Sequence, residues 1–75
     1  MSPRAQRPWT IQIGLEEFTL VLEGRDAYGV YSEYDGKLTT VTKEGSRWVA
    51  LAYPGKKWAS AEQAVTYAMN MKRSE

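Results

Sequence analysis

The chain has 75 residues, a formal net charge of +1, and neither cysteine nor histidine. That length makes one small domain, and the missing residue types exclude disulfide staples and the usual zinc ligands, so an apolar core must hold the fold. Hydrophobic residues are 43% and aromatics 12% of the chain, too many for a disordered protein. No apolar run is long enough to span a bilayer or to serve as a leader, so the expected compartment is the cytoplasm.

Charge is uneven along the chain. Residues 9–36 carry Arg25 against Glu16, Glu17, Glu23, Asp26, Glu33 and Asp35, whereas residues 37–73 are rich in lysine and arginine. Such a split ends either as a polarised surface or as pairs across strands.

Residues 1–8 hold two prolines and the arginines Arg4 and Arg7 with no hydrophobic pattern, and read as a flexible N-terminal arm; residues 9–75 read as a single α+β domain. Alternation in Trp9-Thr10-Ile11-Gln12-Ile13 predicts a half-buried strand. A turn at 14–17 leads to a second strand over 18–23, with Phe18, Leu20 and Leu22 on one face. A third strand is predicted over 27–34, with Gly29 as a suspected bulge. Asp35-Gly36 signals a two-residue hairpin turn. A β-branched fourth strand, 38–43, then turns at Glu44-Gly45 into a fifth, 47–53, which Pro54-Gly55 ends.

The C-terminal helix has the clearest signature. Ser60 and Gln63 form a capping box, and Ala61, Ala64, Val65 and Ala68 recur at helical spacing. Glu62 in the first turn and Lys72 and Arg73 in the last suit the helix dipole. The expected fold is therefore α+β, an antiparallel sheet of about five strands with one C-terminal helix packed on one face.

Two-residue turns would set Tyr34 opposite Lys37, Val30 opposite Val41, and Val41 opposite Trp48. One face then carries Tyr28, Val30, Val41, Trp48, Ala50 and Ala52; the other carries Tyr31, Leu38, Thr40, Val49, Leu51 and Tyr53. A single helix shelters only one of two partly apolar faces. The second must be closed by curling of the first two strands over it, or left for a partner.

Catalytic chemistry finds few side chains here. Without histidine or cysteine, carboxylate pairs remain, and Glu16-Glu17 falls in a predicted turn, where neighbours on a strand would point to opposite faces. There is no phosphate-cradling glycine loop and no carboxylate spacing suited to a metal. The expectation is a non-enzyme with no cofactor, metal or small-molecule substrate.

Binding is better supplied. Tyr31, Tyr53 and Trp58 offer aromatic anchors, Lys56 and Lys57 offer cations just before the start of the helix, and Arg47 adds a third cation at the start of the fifth strand. Residues 48–69, a strand, a turn and the helix Ser-Ala-Glu-Gln-Ala-Val-Thr-Tyr-Ala, resemble the end of sheet-plus-helix DNA-binding domains of the AP2 and phage-integrase arm-binding type. The likeness spans under a third of the chain, with a shorter strand-to-helix spacing and two extra N-terminal strands. The strands-then-helix order is similar, as topology alone, to single-strand-binding transcriptional coactivators. Fold likeness carries no site.

The expected function is a non-catalytic binding module, a small regulator or inhibitor of the phage or mobile-element kind. It would dock on a protein partner, or on a second copy as a homodimer, through an aromatic-rich sheet face. The alternative is a nucleic-acid binder using the basic C-terminal half, for which a net charge of +1 is a weak basis.

Overall fold

The computed structural model of the chain describes residues 9–74; the predicted arm with Arg4 and Arg7 lies outside them. The described residues form an antiparallel meander, β1 (Trp9–Ile13), β2 (Glu16–Gly24), β3 (Ala27–Ser32), β4 (Gly36–Glu44), β5 (Arg47–Ala50) and β6 (Tyr53–Trp58), followed by α1 (Ala61–Arg73). The strands lie in one sheet in chain order, and the helix packs on it, as the α+β reading requires. Among the described residues no helix is long and apolar enough to cross a membrane.

Two local outcomes differ from the expected pattern. The fifth strand stops at Ala50 because the Leu51 N–H bonds to the Thr40 carbonyl (2.8 Å) and the Ala52 N–H to Thr39 Oγ1 (3.3 Å). These bonds turn the chain early, so Pro54-Gly55 falls inside a sixth strand instead of ending the fifth. The expected Asp35-Gly36 turn is a wider loop over 33–35, with Ser32 paired to Gly36. Asp35 is held there by its own N–H on Ser32 Oγ (2.9 Å) and by Arg73 on its carboxylate. Gly36 keeps the positive φ (67°) that its place in the turn signal implied.

Register moves accordingly. Val30 faces Thr39, Tyr28 faces Val41, and Val41 faces Ala50. These slips are of two residues, so Tyr28, Val30, Val41, Trp48 and Ala50 still share one side, the core side; past the bulge Lys37 faces Tyr31 instead of Tyr34, a slip of three. Leu38 does not follow its predicted parity. A bulge between Val30 and Tyr31 leaves it as the extra residue, and it turns into the core beside Thr39. Gly29, the suspected bulge, is regularly paired to Val21 and Thr40.

The sheet curls strongly. In a flat sheet with strands about 4.8 Å apart, β1 and β5 would stand about 19 Å from each other. Yet the Trp9 ring on β1 meets Trp48 on β5 at 6.0 Å and Tyr28 on β3 at 5.0 Å, both edge-on. Bulges in the β2–β3, β3–β4 and β5–β6 pairings supply the bend. The concave side holds Phe18, Leu20, Val30 and Val41, all essentially without exposure.

Curling runs towards the helix, not over the second face as the sequence reading allowed. Helix α1 settles in the hollow against β4, β5 and β6 and also reaches β1. The Ser60 half of its capping box forms as expected, with the Gln63 N–H on Ser60 Oγ at 3.2 Å, while the Gln63 side chain reaches back to the Ala59 N–H instead of that of Ser60. Ala61, Ala64, Val65 and Ala68 face the sheet and are buried. Small side chains let the helix backbone sit close to the strands. The outer face is open in part, with Val21 37%, Tyr31 36% and Leu51 53% exposed, while Val49 on the same face is buried at 5%. It is less apolar than expected, because Leu38 and Tyr53 belong to the core side.

Arg73 fastens the far end of the helix. It donates through both terminal nitrogens to Glu16 (2.8 and 2.6 Å) and through Nε and Nη2 to Asp35 (3.2 and 2.6 Å). One guanidinium thus ties the last helical turn to the start of β2 and to the β3–β4 loop. The Arg73 hydrogen bonds hold both carboxyls below their ordinary values of 4.5 for Glu16 and 3.8 for Asp35.

Two outcomes are expected. Ala68→Leu forces a larger side chain between helix and sheet and lowers the urea-unfolding free energy by about 1–3 kcal/mol. The Arg73 contribution is complete above the ordinary carboxyl values and drains as pH falls through the lowered ones, because the unfolded chain then binds more protons. The stability gap between wild type and Arg73→Gln therefore narrows as pH falls from about 6 to about 2, measured by urea unfolding across pH; a gap that is constant with pH contradicts the clamp.

Candidate functional site

The site grows from the irregularity of β6. Trp48 pairs with Trp58 and Ala50 with Tyr53, so the intervening residues of β6 bulge away from β5. This brings Tyr53 and Trp58 against the helix, where both meet Tyr67. The Tyr53 and Tyr67 rings are edge-on at 6.2 Å, and Trp58 lies tilted against Tyr67 at 5.1 Å. Lys56 Nζ stands 5.7 Å from the Trp58 ring and 5.8 Å from the Tyr67 ring, within cation–π range. Tyr53, Lys56 and Trp58, three predicted binding residues, thus come together.

Tyr67 was not singled out in the sequence. The available signal was its place three residues beyond Ala64, on the flank of the buried helical stripe.

Beside these rings a cleft of about 460 Å³ opens between β1 and the helix. Gln12 and Ile13 form its strand side, Trp58 and Tyr67 its aromatic floor, and Glu62, Gln63, Thr66 and Asn70 its helical wall. The volume falls in the usual range for ligand pockets, about 300–1,000 Å³. Two wall residues are occupied locally: Gln63 Oε1 accepts from the Ala59 N–H (3.1 Å), and Thr66 Oγ1 donates to the Glu62 carbonyl (2.8 Å). The side-chain amides of Gln12 and Asn70 make no hydrogen bond among the described residues. Each can donate and accept. The Trp58 indole N–H is buried and likewise meets no acceptor among the described residues.

Tyr31, Arg47 and Lys57 do not belong to this cleft. Arg47 opens β5, paired with Glu44, and Lys57 forms a loose ion pair with Glu44 at 3.5 Å. Tyr31 lies on the outer face, where its hydroxyl donates to Glu23 (3.2 Å).

Glu23 organises that outer patch. It also accepts from Thr40 Oγ1 (3.1 Å) and pairs with Lys37 at 2.9 Å. Its carboxylate rests directly over Gly29, so a Cβ there would push the Glu23 carboxylate aside. The Lys37 hydrogen bond, followed by that of Thr40, holds the Glu23 carboxyl below its ordinary value. The patch is a closed set of mutual partners.

Among the described residues no group of three or more acidic side chains could hold a metal ion. Comparison with protein-family models, with curated proteins and with solved structures found no match.

Tyr67→Leu keeps an apolar, helix-compatible side chain but removes both ring pairs, each worth about 0.5–1.5 kcal/mol. The expected outcome is a loss of roughly 1–2 kcal/mol in urea unfolding, together with a changed Trp58 fluorescence; an unchanged midpoint contradicts the ring packing.

Proposed function

We propose that the chain is a non-catalytic binding module that docks on a protein partner and acts by occupying it, as a small regulator or inhibitor does. The observation that carries this reading is the cleft between β1 and α1, with its Trp58–Tyr67 floor and the amides of Gln12 and Asn70, unpaired among the described residues. Aromatic side chains are the commonest energetic anchors of protein interfaces. Amides that donate and accept match the two senses of hydrogen bonding in a polypeptide.

Electrostatics favour a protein over a nucleic acid at this site. Phosphate-led binding draws on several clustered cations. Here Lys56 stands over the floor while Glu62 is part of the wall, and Lys57 is paired to Glu44 away from the cleft. The net charge of +1 adds little long-range attraction.

The test pairs a displayed library of random peptides with single-stranded DNA and RNA pools. Thr66→Trp fills the cleft from its helical wall; Arg47→Glu with Lys57→Glu alters the outer side. Peptide ligands are expected, with affinity lowered about tenfold or more by the first variant and about unchanged by the second. Nucleic-acid binding that weakens steeply with salt and is lost in the second variant would overturn the reading.

A further inference from the structure

We propose that the partner is held by strand addition: an extended segment of a different protein pairs with the open edge of β1 and drops alternate side chains into the cleft. This deepens the protein-binding reading above and rests on it.

The two edges of the sheet are built differently. Exposed strand edges invite pairing, and natural sheets blunt them with proline, lysine, bulges or short length. At β6 these devices gather in Tyr-Pro-Gly-Lys-Lys-Trp, with Pro54, Gly55, Lys56 and Lys57 all exposed and the pairing to β5 bulged. At β1, itself only five residues long, proline, lysine and bulges are missing. Trp-Thr-Ile-Gln-Ile has no charge, no proline and no glycine, and pairs residue for residue with β2 without a bulge. Its other edge is unpaired among the described residues. One edge is defended and the other is left ready.

The cleft lies along that ready edge. Because the curl brings α1 over to β1, a strand added beside Ile13 would have the helical wall on its concave side and the Trp58–Tyr67 floor beneath. Every second side chain of such a strand faces the cleft. Its backbone would supply the alternating N–H and C=O groups that only an extended polypeptide offers to a strand edge. Apolar residues at alternate positions suit Ile13 and the two rings, and the amides of Gln12 and Asn70 lie where flanking backbone or polar side chains would pass.

A second copy of this chain fits less well as the occupant. In a β1-to-β1 pairing the concave-side residues of the added strand would be Trp9, Ile11 and Ile13. Ile11 is buried in its own core, and Trp9 is held by its own Tyr28 and Trp48 rings. Neither can leave to fill a neighbour's cleft.

The test alters the ligand first. Ligands from a random peptide library are resynthesised with the backbone N-methylated at every second residue, in each of the two frames, and binding is measured by fluorescence anisotropy. Strand addition expects alternating apolar ligands. One N-methylated frame should lose about tenfold or more in affinity and the other change by less than about twofold. Ligands that are sensitive to Thr66→Trp but indifferent to N-methylation in both frames overturn strand addition and leave the protein-binding reading standing. A library that yields no ligand overturns both. Light scattering is expected to give a monomer; a dimer broken by Thr10→Pro would assign the edge to self-pairing and overturn the proposal.

Discussion

The seating of an alanine-faced helix in the hollow of a curled sheet governs the rest of this structure. Ala61, Ala64 and Ala68 offer the sheet little more than methyl groups, so the helix approaches closely, and Val65 fills the one deeper place. Such a helix is too slight to cover six flat strands. The sheet instead bends round it through bulges, until β1 and the late strands β4–β6 all touch the helix. Trp9, Tyr28 and Trp48 converge on the same concave side. The cleft follows from the same geometry: the hollow is wider than the helix, and the surplus opens beside β1.

Charge placement supports this arrangement. The acidic first half and basic second half of the chain do not form opposed surfaces, because the meander and helix bring them together. Glu16 and Asp35 meet Arg73, and Glu23 meets Lys37. Arg73 sits at the end of the helix opposite the Trp58 junction, so the helix is anchored by hydrogen-bonded charge at its C-terminus and by ring packing near its N-terminus. Between these anchors the wet residues Glu62, Thr66 and Asn70 are left to line the cleft.

Much of the fold was legible in the residues. Period-2 alternation marked β1 and β2, and the Ser60–Gln63 box with the alanine repeat marked the helix. What stayed hidden was non-local. The loop at 33–35 depends on Arg73, distant in sequence, taking the Asp35 carboxylate. The early end of β5 depends on Thr39 and Thr40 of β4 capturing the next two N–H groups. Pro54-Gly55 is a strong terminator read locally, yet it is tolerated inside an edge strand, where a missing donor costs little. The candidate site was half legible for the same reason. Tyr53, Lys56 and Trp58 were visible as residue types beside a helix start, while Tyr67 and the cleft needed the curl. Tyr31 lies on the face opposite Val30 and Val41, as the alternation implied; that face is the outer one, and there it serves Glu23.

Among the described residues the helix leaves the β1 edge open while the interior strands are closed on both sides. Residue-resolved amide hydrogen exchange of the free protein tests this most directly. Slow exchange is expected throughout β2–β5 and across the middle of α1, and fast exchange at alternate amides of β1, whose N–H groups point away from β2. Uniformly slow exchange along β1, equal to that of β3, would contradict it, since the edge would then already be covered.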